Sequence, residues 1–283
     1  MPFTTVTGTD PLSGKAFNVL VPTIYNAGTP TGVIIYCHGN GGAENALLVD
    51  SLAYTCRDIL INNGYILAGS VGNGVFNVAE PPTVDAYVGL ASYIKANYNV
   101  RGFALWSMSM GGITGLRAIM DGRINYCGWL GTYPVCNIAK AYAGLFTQQI
   151  NTAYGISNTA TQDLATFALK IYGNDPAAQP ARAFRDVPMR FYSSPGDDAV
   201  TTVDHSNVIA SICASSRREC TVVQCTGYHG DTSHFQPQDY LDFFNRCFAA
   251  PVGQLEPRKA VFLPGAAGRG VVFTKGKKIL PVL

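Results

Sequence analysis

Charge is what this sequence has least of. Asp, Glu, Lys and Arg together make up 13% of its 283 residues, about half the usual share, and they balance to a net +2. The basic residues are scattered, with Lys275, Lys277 and Lys278 as their one cluster. Nothing in that pattern can neutralise a run of phosphates, so nucleic acid is excluded as a partner. No apolar run reaches the ~18 residues a membrane helix needs, and no membrane partner is expected. The opening residues MPFTTVTGTD lack the charged and apolar regions of an export signal. The expectation is a soluble protein, cytoplasmic by default or virion-associated. With so little charge, the surface falls to Ser, Thr, Asn, Gln and Gly, which suits an extracellular or particle-bound protein. Eight cysteines permit pairs such as Cys127–Cys136 or Cys225–Cys247. Without a secretory route the expectation leans to free thiols, and Cys37, inside an apolar run, fits a small buried hydrophobe.

What is abundant is apolar surface. Hydrophobic residues are 47% of the chain, and they fall into strand-like runs alternating with amphipathic stretches, the βαβ signature of a mostly parallel sheet. Strands are predicted at 17–24, 32–37, 65–71, 102–107, 124–133, 189–194 and 219–225. Helices are predicted at 44–62, 82–98 (opened by Pro81-Pro82), 111–120, 202–215 and 237–248. Residues 137–187 are too long for one crossover. They read as inserted helices, either a small cap or helices packed beside the sheet. Tyr142, Phe146 and Tyr154 within them would line an acyl pocket or serve as plain core. Residues 250–283, rich in Gly and Pro, read as a β-rich tail appended to a domain spanning 1–249. Its strands would pack on their own domain or pair with another subunit in an oligomer or larger assembly.

Residues 107–111, Ser-Met-Ser-Met-Gly, stand between the strand GFALW and the helix GGITGLRAIM. This is the strand–turn–helix setting of a nucleophile elbow, with Ser109 at its apex. Ser107 stands where Gly is more usual and adds crowding. A serine hydroxyl needs a base, and only His38, His205, His229 and His234 exist. In this motif the order along the chain is Ser, acid, His, which excludes His38. His205 falls inside a predicted helix and is expected at the surface. His229 and His234 share the loop GYHGDTSHFQPQD after the last strand. His229 is favoured, nearest the strand and followed by Gly230, while His234 is kept as the alternate. For the acid, FYSSPGDDAV offers Asp197 and Asp198. Asp197 is preferred because Val200, three residues on, can anchor its loop; Asp198 is the alternate. The loop Tyr-Cys-His-Gly-Asn-Gly-Gly at 36–42 can bring backbone N–H groups close to a carbonyl oxygen. The N–H of Asn40 and that of Met110 are the expected oxyanion donors, with Gly41 as fallback, and His38 is expected to brace the loop. A zinc reading of Cys225, His229 and His234 matches no metal-ligand spacing, and a phosphate-loop reading lacks the Lys-Ser/Thr ending.

CHGNGG, WSMSMGG, YSSPGDDAV and GYHGDTSHFQPQDYLDFF together resemble the α/β-hydrolase superfamily. The likeness is to serine esterases and prolyl-oligopeptidase-type hydrolases of bacteria and some phages, and it covers residues 15–249. It implies an α/β fold with an eight-stranded, mostly parallel sheet flanked by helices. It also implies a Ser109–Asp197–His229 mechanism that needs no metal or other cofactor, acting on a small or polymeric ester. The rival readings are a serine peptidase of prolyl-oligopeptidase type and a non-catalytic, virion- or tail-associated binding protein on the same scaffold.

Overall fold

A computed structural model describes residues 2–156, 164–214 and 219–249. The readings made for residues 250–283 lie outside the described residues. Eight strands form one sheet: β1 Phe3–Thr9, β2 Ala16–Pro22, β3 Thr31–Cys37, β4 Ile66–Ser70, β5 Val100–Met108, β6 Tyr126–Thr132, β7 Met189–Ser193 and β8 Cys220–Gln224. Their spatial order is β1-β2-β4-β3-β5-β6-β7-β8. The β1–β2 and β2–β4 pairs are antiparallel and every other pair is parallel. The central strands are apolar and buried on both faces, as parallel strands covered by helices must be; Val33, Ile34 and Ile35 are wholly inaccessible.

The helices are α1 Ala46–Val49, α2 Tyr54–Asn62, α3 Pro81–Asn97, α4 Gly111–Asp121, α5 Ile138–Ala143, α6 Thr147–Tyr154, α7 Leu164–Ile171, α8 Ser206–Cys213 and α9 Pro237–Ala249. One face of the sheet packs on α3, α4 and α8 through Leu90, Leu116 and Ile209. The other packs on α2 and α9 through Leu60, Phe243 and Phe244. The single helix expected over 44–62 is broken. Asp50 is extended (φ −81°, ψ 99°), and its side chain accepts the Leu52 N–H to cap a short 3₁₀ turn, Ser51–Ala53, before α2 begins. An Asp that can bond the backbone two residues on competes with helix continuation. The edge strand β1 is absent from the sequence reading. Its residues, FTTVTGT, alternate toward solvent and lack the apolar run that marks an inner strand.

All eight cysteines are free thiols, so neither Cys127–Cys136 nor Cys225–Cys247 is bridged. Among the described residues, no helix is long and apolar enough to cross a membrane.

Register brings the chemistry to one edge. Cys37 pairs with Ser107, Met108 with Thr132, Thr132 with Tyr192, and Ser193 with Gln224. The strands therefore end level. The loops after β3, β5, β6, β7 and β8 all leave from the carboxyl edge, where open α/β sheets form their crevice.

Candidate active site

Ser109 follows β5 directly and has φ +49°, a left-handed conformation that costs a non-glycine residue of order 1–3 kcal/mol. Three backbone bonds hold it there. Its N–H donates to the Thr132 carbonyl (3.0 Å), and its own carbonyl accepts the N–H groups of Gly112 (2.9 Å) and Val135 (2.8 Å). The turn is so tight that a Cβ on Gly111 would collide with the Cys37 carbonyl oxygen. Ser107 is wholly buried, and its Oγ accepts the Trp129 indole N–H at 3.0 Å. Its extra bulk is taken up across the turn by Gly115, where a Cβ would strike that same Oγ.

The structure brings Ser109, His229 and Asp197 together. Ser109 Oγ lies 2.9 Å from His229 Nε2, and His229 Nδ1 lies 2.7 Å from Asp197 Oδ2. A carboxylate can only accept, so Nδ1 carries the proton and Nε2 is left to accept from the serine hydroxyl. Asp197 is 2% exposed. Its other oxygen accepts the Ala199 and Val200 N–H groups at 3.1 and 2.8 Å. Asp198 points to solvent. His234 is fully buried away from Ser109, with Nδ1 2.9 Å from the Asp231 carbonyl oxygen. Burial lowers its pKa.

The loop carrying His229 is tied down from beneath. Trp106 donates to Thr132 Oγ1 (3.0 Å), Thr132 meets the Tyr240 hydroxyl (2.6 Å), and Tyr240 donates to the His234 carbonyl (2.8 Å). Ser194, in the acid's loop, donates to the Gly227 carbonyl at 2.7 Å and so joins the acid and base loops. Tyr133 also escaped the sequence reading. It follows β6 directly, at φ +38°, and sets its ring edge-on to His229 at 4.6 Å and to His234 at 5.2 Å. A tyrosine forced into that conformation beside a motif would have been the signal, but φ is not written in sequence.

Of the proposed oxyanion donors, Asn40 and Met110 donate their N–H to no protein acceptor among the described residues; Met110 follows Ser109 in the chain, and Asn40 follows Gly39, whose added Cβ would stand 3.3 Å from Ser109 Cβ. Gly41 does not qualify, because its N–H donates to the Val75 carbonyl at 2.8 Å. His38 is buried, with Nδ1 2.8 Å from the Gly39 carbonyl and Nε2 accepting from Asn77 at 2.9 Å. Burial lowers its pKa. The neutral ring therefore braces the loop. Beside it opens a cleft of about 260 Å³, whose lining includes Gly39, Asn40, Val49, Asp50 and Met108.

Cys225 Sγ lies near the Val223 carbonyl and the Gln236 amide. Within 137–187, Phe146 and Ile150 pack with Met110, Ile113 and Val200, and Tyr142 and Tyr154 lie against that cluster. Tyr154 donates to the Val78 carbonyl at 2.8 Å. These helices thus rest on the residues that follow the nucleophile and the acid.

His205 is not at the surface. It is 4% exposed, and its Nδ1 accepts the Cys136 N–H at 3.1 Å, tying the start of α8 to the chain just before the inserted segment. Burial pushes its pKa from 6.5 down to about 4. Below pH ~6.5 the unfolded chain binds a proton that the folded chain refuses, so stability is full above that pH and drains as pH falls toward ~4. Between about pH 7 and pH 4.5 the loss from this residue is about 2–3 kcal/mol. Urea unfolding of His205→Gln, which keeps an acceptor but cannot titrate, should show a pH dependence shallower by that amount. Equal slopes for the two proteins would remove the effect.

No protein-family model and no curated protein matches the chain. Solved structures do. A truncated carbohydrate esterase from gut microbiota superposes with TM-score 0.67 at 13% identity, over 87% of this chain and 96% of that one. A putative dipeptidyl aminopeptidase IV from Bacteroides ovatus gives 0.66 at 13%, over 88% and 36%. A prolyl endopeptidase gives 0.64 at 12%, over 88% and 38%. The chain spans little more than a third of the length of the two peptidases.

Proposed function

We propose that this chain, which has the α/β-hydrolase fold, is a serine hydrolase that cleaves carboxylic esters through an acyl-enzyme. The observation that carries the reading is the unbroken hydrogen-bonded chain from Ser109 Oγ through His229 to the buried Asp197. Ser109 Oγ attacks the ester carbonyl carbon while His229 Nε2 takes its proton. The tetrahedral oxyanion is met by the N–H groups of Asn40 and Met110, each such donor being worth ~2.7–4 kcal/mol in comparable sites. The C–O bond to the leaving group then breaks, and the alcohol departs with the proton from His229. Water, deprotonated by His229, attacks the acyl carbon, and collapse returns the acid and free Ser109. Asp197 holds the imidazole in the working tautomer and stabilises the imidazolium.

Esters are preferred over amides because an alcohol leaves more readily than an amine. The likeness to peptidases supports the second reading, cleavage of peptide bonds by the same three residues. A fluorophosphonate probe should label the chain once, at Ser109, and para-nitrophenyl esters should turn over with a burst. Turnover of peptide anilides at a comparable rate would favour the peptidase. No labelling and no turnover of either would return the chain to a binding role.

A further inference from the structure

Among the described residues, Asp50 is the one ionisable side chain lining the cleft beside the oxyanion loop. The cleft adjoins the nucleophile, since Gly39 in its wall packs within 3.3 Å of Ser109 Cβ, measured from where a Cβ on Gly39 would stand. Two residues on from Asp50, Leu52 reaches the loop that carries the base, its Cδ1 4.0 Å from where a Cβ on Gly230 would stand. One Asp50 oxygen accepts the Leu52 N–H at 3.1 Å. Among the described residues the other has no partner, and no cation pairs with the carboxylate. The nearby Arg57 is spent on Asp58 (2.7 Å) and the Leu47 carbonyl (2.9 Å). Capping the 3₁₀ turn needs only an acceptor, and Asn would serve as well. The cap therefore does not account for a negative charge here. Burial pushes the carboxyl's pKa up, as expected of an acid that has lost water without gaining a counter-charge.

We propose that this cleft is a cation subsite, in which Asp50 receives a positively charged group carried by the substrate close to its scissile bond. The inference rests on the hydrolase reading for what happens next to the bound cation, but not for the binding itself. The walls supply backbone and small side chains, with Val49 and Met108 for the apolar body of the ligand. An ammonium or quaternary ammonium would replace the missing partner of the free oxygen. A neutral group of the same shape would fill the same space without that gain.

The test is built on Ser109→Ala, which binds without turning over. It is titrated by calorimetry with choline esters and with their neutral isosteres, in which a tert-butyl group replaces the trimethylammonium. A second pair carries the same two groups on the acyl side. For at least one pair, the charged ester should bind about tenfold more tightly, the scale of one ion pair in a half-open cleft. Adding Asp50→Asn, which keeps the cap, should bring that ratio to about one while leaving the neutral ligand's affinity unchanged. Equal binding within both pairs, failure of all four ligands to bind, or a charge preference that survives Asp50→Asn would each overturn the proposal. Turnover by the Ser109 protein is scored separately. Cation-selective binding with no hydrolysis would sink the hydrolase reading and keep the subsite. Indiscriminate binding with hydrolysis would do the reverse.

Discussion

Ser109→Ala is expected to lower kcat for ester hydrolysis on the order of 10⁶-fold, the scale seen when the nucleophile is removed from a serine triad. The geometry gives no substitute. Ser107 is buried with its Oγ held by Trp129, and no other hydroxyl is bonded to His229 Nε2 among the described residues. Because the three residues act as a unit, removing His229 as well should cost almost nothing further. What remains over the uncatalysed rate should come from substrate binding and the Asn40 and Met110 N–H groups. The fold should hardly notice. Alanine at 109 keeps the backbone bonds to Thr132, Gly112 and Val135, and it tolerates φ +49° no worse than serine does. The chain loses one hydrogen bond, about 0.5–1.5 kcal/mol, so a thermal melt within a few degrees of the parent is the expected control. A fall in kcat of only tenfold, in a variant that melts normally, would mean that Ser109 is not the nucleophile.

The parts of the molecule readable in the sequence are those governed by burial or by a short motif. β3 from Gly32, β4, and β5 from Phe103 to Ser107 are buried because both faces are covered, and the apolar runs within them announce themselves. The Ser109 turn was readable because strand, small residues and helix must follow one another within a few positions for the backbone to turn so sharply. Asp197 over Asp198 was readable from Val200, whose N–H does bond the Asp197 carboxylate. What failed depended on partners distant in sequence or on backbone angles. The burial of His205 depends on Cys136, 69 residues away. Gly41 lost its place as a donor to Val75, on a loop that composition does not connect to it. Tyr133 and Ser194 are ordinary residues until the register of β6 and β7 sets them beside His229 and Gly227. The break at Asp50 was hidden by apolar spacing on both sides of it, and the sole warning was the aspartate itself.

The second large effect separates the two adjacent carboxylates. Asp197→Asn should lower kcat by roughly 10⁴-fold, as the same exchange does in other triads, whereas Asp198→Asn should change it less than about twofold. Size and fold are conserved in the first variant. The Asn oxygen can still accept the Ala199 and Val200 N–H groups that anchor the loop, so the amide NH₂ must face His229 Nδ1. An amide nitrogen only donates. His229 then answers with the other tautomer, Nδ1 accepting and Nε2 carrying the proton. That N–H points at Ser109 Oγ, and a base already holding its proton cannot take another. The hydrogen-bonded chain survives in outline with its direction reversed. The binding of a substrate should therefore change little while turnover collapses, so the loss should fall on kcat and not on KM. Asp198, exposed at the next position, carries the same charge a few ångströms away and serves as the control for bulk electrostatics. If the two variants lost activity equally, the buried geometry around Asp197 would not be what makes His229 a base.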